Sequence, residues 1–334
     1  MATLTHDAAR TGWTGRPLAP GLGLAALSAS SFGLSGSLAR GLMDAGWSAT
    51  AAVVVRILLA AAVLVPVAVI QLRGRWSLLR RSLPVIAAYG LVAVAGCQLA
   101  YFNAVAHLQV GVALLIEYTA PVAVVGWLWL RHRQRPGRLT VAGAVLGLSG
   151  LVLVLDLLSG AQLSAVGTAW ALAAMTGAAV YFVLSGQEHA GLPATVLAAG
   201  GLVLGGVVLL LAGLLGAVPL TASTDPVALA AGSVPWWLPV LALGLVTAAL
   251  GYVTGIGATR RLGSRLASFV ALSEVLAGLG FAWLLLGERP GAVQAVGGAL
   301  ILTGVVVVHV GEDRRPGDRH PDRVAGRPLV GAAA

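Results

Sequence analysis

Ten stretches of roughly 20 apolar residues recur along this chain, each long enough to cross the hydrocarbon core of a bilayer as a helix. They lie at roughly 21–41, 49–71, 83–105, 109–130, 138–157, 164–185, 192–217, 236–257, 264–286 and 291–310. In lipid, a segment must satisfy its own backbone hydrogen bonds, so spans of this length and composition fold as helices. What remains is short connections and two tails. Residues 1–20 form an N-terminal tail, and residues 311–334, rich in Arg, Asp, Pro and Gly, are expected to be disordered. The expected fold is all-α, a polytopic membrane protein of ten transmembrane helices.

The charges set its orientation. Only 10% of the residues are charged, against about 25% in a soluble domain. The net charge of +9 invites a nucleic-acid partner, but the position of the charges excludes one. All basic residues are arginine, and they cluster between the spans, leaving no folded basic domain. With the N-terminus inside, 18 of the 21 arginines fall on the cytoplasmic side. Only Arg40 and Arg289 fall outside, and Arg56 lies within a span. This asymmetry predicts an N-in/C-in, multi-pass protein of the cell (cytoplasmic) membrane, and both tails are then cytoplasmic. No cleavable signal peptide is expected. Cys97, the single cysteine, reads as a small apolar helix residue, so no disulfide or cysteine metal cluster is expected. Oligomeric state stays open, because small-residue faces such as Gly201/Gly205 serve packing within one chain equally well.

Shifting the chain by 154 residues reveals a repeat. Gly90-Leu91-Val92 meets Gly244-Leu245-Val246, Trp129-Leu130 meets Trp283-Leu284, and Arg135-Pro136-Gly137 meets Arg289-Pro290-Gly291. Gly143, Leu146 and Gly150 meet Gly297, Leu300 and Gly304. A weaker match near 144 pairs Gly23 with Gly167 and Gly33 with Gly177. The spans divide into two five-helix halves, 21–157 and 164–310. Because five is odd, the second half enters from the opposite side, giving two inverted repeats about a central site.

Three ionisable residues sit deep inside spans: Arg56, Glu117 and Glu274. At 1.5 Å per residue, Arg56 and Glu117 each lie about 12 Å from the outer end of their helix, and Glu274 lies about 15 Å from an inner end. A charge at such depth costs about 2.5–3.5 kcal/mol on insertion scales and by default marks a functional site. Arg56 cannot shed its proton. It needs water or an anion, and Glu117, at matching depth, is the first candidate partner. A buried carboxylate beside a cation can exchange protons or bind a substrate ammonium, while Arg56 can meet a substrate carboxylate. A purely structural Arg–Glu pair is the competing reading. Glu274 aligns with Ala120, one turn from Glu117, and can mirror it across the pseudo-axis. Gln98, Tyr101, Asn103, Tyr118, Tyr181 and Tyr252 are further candidates for a polar path, although such groups also join membrane helices. Pro121, four residues after Glu117, frees that residue's carbonyl and can kink the helix beside the buried charge.

These features resemble the drug/metabolite transporter superfamily, and within it the EamA-type ten-helix carriers. The resemblance covers roughly residues 20–310. It rests on the five-plus-five repeat, on Arg56 in the second span, and on Leu284 to Val308, where Gly287-Glu288-Arg289 leads into a Gly-rich final helix. Leu115 to Pro121 further resembles the threonine/homoserine-exporter branch. Two departures stand out. Family members often have Glu-Pro in the ninth helix, where this chain has Glu274-Val275, and the turn Arg131 to Gly137 lacks the Gly-Glu-Arg pattern. The resemblance implies alternating access, export of small metabolites such as amino acids, and no bound cofactor.

The function expected is a secondary exporter of amino acids or similar small metabolites, with protons as a candidate coupling ion. The partners expected are a small-molecule substrate and the lipid bilayer. No P-loop pattern is present for ATP hydrolysis by that route. A drug or other metabolite carrier is the alternative within transport, disfavoured by an aromatic content of only 6%. A membrane-embedded enzyme needs clustered carboxylates for Mg²⁺, and the only adjacent acidic pair, Glu312-Asp313, lies in the tail.

Overall fold

The computed structural model describes residues 18–313 apart from 106, 109, 134, 155–163, 188–190 and 288. Most of both tails therefore lies outside the described residues, although 18–20 and 311–313 belong to the first and last helices.

The ten expected spans are all present. Eight helical stretches are long and apolar enough to cross a membrane, and two shorter apolar helices, Arg138–Val154 and Ser273–Leu286, complete the set. The bundle has two ends. One carries Asp44 and the connections after the first, seventh and ninth spans. The other carries Arg73 and the connections after the second, sixth and eighth. Bonds join loops within one end. Ser48 N–H donates to the Thr221 carbonyl at the first, and Arg260 Nη1 donates to the Leu192 carbonyl at the second.

The repeat governs the backbone in detail. The third span is interrupted by a π-helical segment, Tyr89–Gly96, and the eighth by another, Leu243–Leu250, at the same shift of 154. The fourth span breaks after Val110–Glu117 and resumes as Ala120–His132. The ninth breaks at Leu272, the mate of Tyr118. A hydroxyl turns back at both breaks: Thr119 Oγ1 donates to Ile116 O at 2.6 Å, and Ser273 Oγ to Val270 O at 2.6 Å. Thus Val275 in place of a proline does not remove the kink, because the serine hydroxyl supplies it with a partner. The fourth span ends on Arg133 at φ 55°, and the ninth on Gly287 at φ 75°. Arginine here occupies a left-handed cap for which glycine is the usual residue. The eighth and ninth spans are separated at Gly263, whose φ of 80° and ψ of 158° reverse the chain without a loop.

Packing follows the same two-fold logic. The fifth span, Arg138–Val154, and the tenth, Ala292–Asp313, cross at glycines. A Cβ at Gly143 would lie 2.6 Å from the Gly304 carbonyl oxygen, and one at Gly297 would lie 2.6 Å from that of Gly150. Gly297 is the mate of Gly143 and Gly304 of Gly150, so exchanging the halves maps this contact onto itself. Small residues let the two backbones touch where lipid offers no hydrophobic drive for association. The first span packs on the eighth and ninth, as the sixth does on the third and fourth, and the second packs on the seventh.

One element was not expected from an all-α reading. The connection between the seventh and eighth spans, residues 215–236, contains an antiparallel hairpin of β1 (Val227–Leu229) and β2 (Gly232–Val234). Its patterning is too short to register in a sequence dominated by span-length apolar runs.

Candidate functional site

The breaks and π segments converge on one place. Interrupted spans at corresponding positions of two inverted halves are where transporters build their sites. A cavity of about 800 Å³ opens there, and its wall follows the repeat. Gln98 and its mate Tyr252 line it, each two residues past a π segment. Tyr101 and its mate Gly255, Glu117 and Ala271, Ala120 and Glu274, and Pro121 and Val275 also line it. A wide π turn shifts the register of the side chains that follow, which is how each helix presents polar groups to the cavity.

Of the residues singled out from sequence, Arg56, Gln98, Tyr101, Glu117, Tyr118, Tyr181, Tyr252 and Glu274 all line this cavity. Asn103 does not: its Nδ2 donates to the Leu99 carbonyl of its own helix at 2.7 Å.

The pairing of the charges differs from expectation. Among the described residues no ion pair joins Arg56 to Glu117. Nor does an ion pair join Arg56 to Glu274 among the described residues, although the Tyr252 phenol and Glu274 both lie within longer electrostatic range of the guanidinium. The guanidinium also lies over the Phe32 ring, 5.7 Å from its centroid, a cation–π geometry. The Tyr118 hydroxyl lies beside the Glu274 carboxylate and faces it as a donor, which brings the break of the fourth span to that of the ninth. Glu117 lies beside Cys97, whose Sγ lies 3.5 Å from Glu117 Oε1 and 3.4 Å from the Ala174 carbonyl oxygen. Equal depth does not make two groups neighbours when their helices present them from different directions.

Two polar atoms at this wall, Arg56 Nε and Tyr181 Oη, are buried without a hydrogen-bond partner. Buried polar groups in folded proteins nearly always have one, so these two are poised for a ligand's acceptors. Around them the aromatic rings are concentrated. Phe32 meets Tyr252 edge-on at 5.2 Å, Tyr252 meets Tyr181 at 6.0 Å, and Tyr181 meets Phe182 at 4.9 Å. Four of the chain's five tyrosines line the cavity, and the fifth, Tyr89, lies 5.8 Å from Tyr181. The low average aromatic content therefore says little about the site. Sequence reasoning missed Phe32, Phe182 and Cys97. The last had a signal, since Cys97 is one helical turn from Tyr101 on the same face. Among the described residues no three metal-ligating side chains come together.

The wall runs from mid-bundle to the Asp44 end, through Arg40 and Met43 of the first span, Ala49 of the second and Leu286 of the ninth. At the other end the bundle is shut. A Cβ at Gly21 would lie 2.7 Å from Leu262 Cδ2, and Arg260 bonds across to Leu192. An amphiphilic cavity between inverted halves, open to one end only, is the architecture of a multi-pass membrane carrier.

The chain belongs to the EamA-like transporter family, whose model matches residues 19–156 and again 165–310, one match for each half. It is therefore a member of a family of membrane transporters of small metabolites. No curated protein matches the chain. A solved structure titled only "Crystal structure of protein" is similar to it, with a TM-score of 0.69, 23% identity, and coverage of 89% of this chain and 98% of the other. At that identity the likeness concerns the fold alone.

Proposed function

We propose that this protein is a secondary exporter of amino acids or similar small zwitterionic metabolites in the cytoplasmic membrane, working by alternating access with its N- and C-termini inside. The observation that carries this reading is the charge set of the cavity. One guanidinium with an unpartnered Nε shares a wall with two carboxylates. A zwitterion needs both signs. Its carboxylate meets Arg56, its ammonium meets Glu117, and Glu274, held by Tyr118, balances Arg56 when the site is empty. Glu117, with no cation beside it, is also the group through which a proton can be exchanged for substrate.

Counterflow uptake of radiolabelled amino acids into liposomes tests this, with wild type and Glu117→Gln side by side at two pH values. The expected result is uptake by wild type that is lost or made pH-insensitive in the variant. No amino-acid uptake by folded wild type refutes the substrate class. Uptake unchanged in the variant removes Glu117 from the mechanism.

A second reading, a carrier of drugs or other apolar metabolites, is favoured by the ring cluster of Phe32, Tyr181, Phe182 and Tyr252. Transport of aromatic cations with no amino-acid counterflow supports it.

A further inference from the structure

We propose that residues 215–236, the connection bearing the β1–β2 hairpin, are a strap that holds the cavity open at the Asp44 end. The proposal rests on the alternating-access reading above. The strap reaches three of the helix ends that frame the mouth. At the first span, Gly41 leaves no space: a Cβ there would lie 2.8 Å from Val227 Cγ1, and Val227 is fully buried. At the second span, Trp47 Nε1 donates to the Ser223 carbonyl at 2.7 Å, and Ser48 exchanges backbone and side-chain bonds with Thr221. At the ninth span, Ala230 N–H donates to the Leu285 carbonyl at 2.7 Å. Each anchor adjoins a residue of the cavity mouth: Arg40, Ala49 and Leu286.

The ninth span has little else to hold its end. After its break, the helix Ser273–Leu286 contains no buried residue and packs chiefly on the first span. Its last turn is therefore the part of the mouth that can swing, and the strap bonds it away from the opening. The corresponding connection of the first half, residues 72–75, is a bare turn at the other end of the bundle. Two matching inverted halves would make the two access states equivalent. A strap on one end only adds bonds to the state open at that end and so shifts the equilibrium towards it.

Ala230 lies in a two-residue hairpin turn, between Leu229 and Gly232, with negative φ. Proline fits the first central position of such a turn and removes the one N–H in question. The experiment reads the native Cys97, which lines the cavity. A small, charged methanethiosulfonate is added to right-side-out and to inside-out vesicles in turn. In Ala230→Pro, labelling from the strap side is expected to fall by up to about fivefold, the population shift for losing one hydrogen bond of ordinary net strength, and labelling from the other side to rise. Ala230→Ser keeps the donor and is expected to label like wild type. Val227→Ala loosens the anchor on the first span without touching a helix bond and is expected to shift labelling in the same direction. If wild type labels from the strap side and neither Ala230→Pro nor Val227→Ala changes it, the strap is overturned while the transporter reading stands. If wild type does not label from that side, the open mouth is overturned and the strap with it.

Discussion

At the break of the fourth span the chain carries Glu117 and Tyr118. At the matching break of the ninth it carries Ala271 and Leu272, and the carboxylate has moved one turn on, to Glu274. The backbone devices around these positions are the same in both halves: a π segment, a hydroxyl turned back on a carbonyl, a left-handed cap. The side chains are not. The second span supplies Arg56, while the seventh, against which it packs, offers the glycines of Gly200–Gly201 and Gly205–Gly206 and no ionisable group. Architecture is held in common and chemistry is divided. A symmetric scaffold provides two related access states, and an asymmetric wall decides what can bind between them.

The common part is broken most severely at the crossing of the fifth and tenth spans. Gly143→Val and Gly297→Val place side chains against backbone at sites related by the repeat, so each is expected to destabilise by about 3 kcal/mol and by similar amounts. Gly280→Ala, with nothing within 4 Å, is expected to be neutral or slightly stabilising. Thermal melts in detergent check all three, and a large inequality between the first two breaks the symmetry argument.

The divided part is tested next. Arg56→Gln is expected to lower amino-acid flux roughly tenfold to a hundredfold, the range for losing one charge-assisted bond to substrate, with little change in melting temperature. Counterflow alongside a melt separates the two. A smaller effect is expected from Tyr118→Phe, which removes the hydroxyl that joins the two breaks. Flux is expected to fall by about twofold to tenfold, an ordinary hydrogen bond's worth.

The smallest effect returns to the scaffold. Arg133→Gly gives the fourth span the cap residue of the ninth, and is expected to stabilise by about 1 kcal/mol. Gly287→Ala is expected to destabilise by a similar amount. Melting temperatures that move in the opposite senses would show that the two caps are not equivalent.

Much of this was legible beforehand, for a reason particular to membranes. The Trp-Leu and Arg-Pro-Gly matches set a register that the π segments, breaks and caps then follow residue for residue. Pro121 marked the fourth break. The ninth lacked a proline and was marked only by Ser273, a residue too common in helices to read alone. Asn103 looked like a wall residue by spacing and instead bonds its own helix, since a polar side chain in a span can be satisfied either way. The hairpin of residues 227–234 gave no signal because its strands are only three residues long, and the tyrosines were picked out one by one while their meeting at one wall depends on packing between spans distant in the chain.

The sequence by itself determined the spans, their division into two halves and which ionisable residues lie within them. Bilayer thickness and the cost of burying charge act on each helix separately, and so are written locally. Tertiary structure alone decided that Arg56 lies over Phe32 and forms no ion pair with Glu117, that Cys97 is Glu117's neighbour, and that a hairpin ties the mouth. A helix in lipid can be apolar on every face, so hydrophobic pattern does not say which way a side chain points. Only packing against the neighbouring helices does.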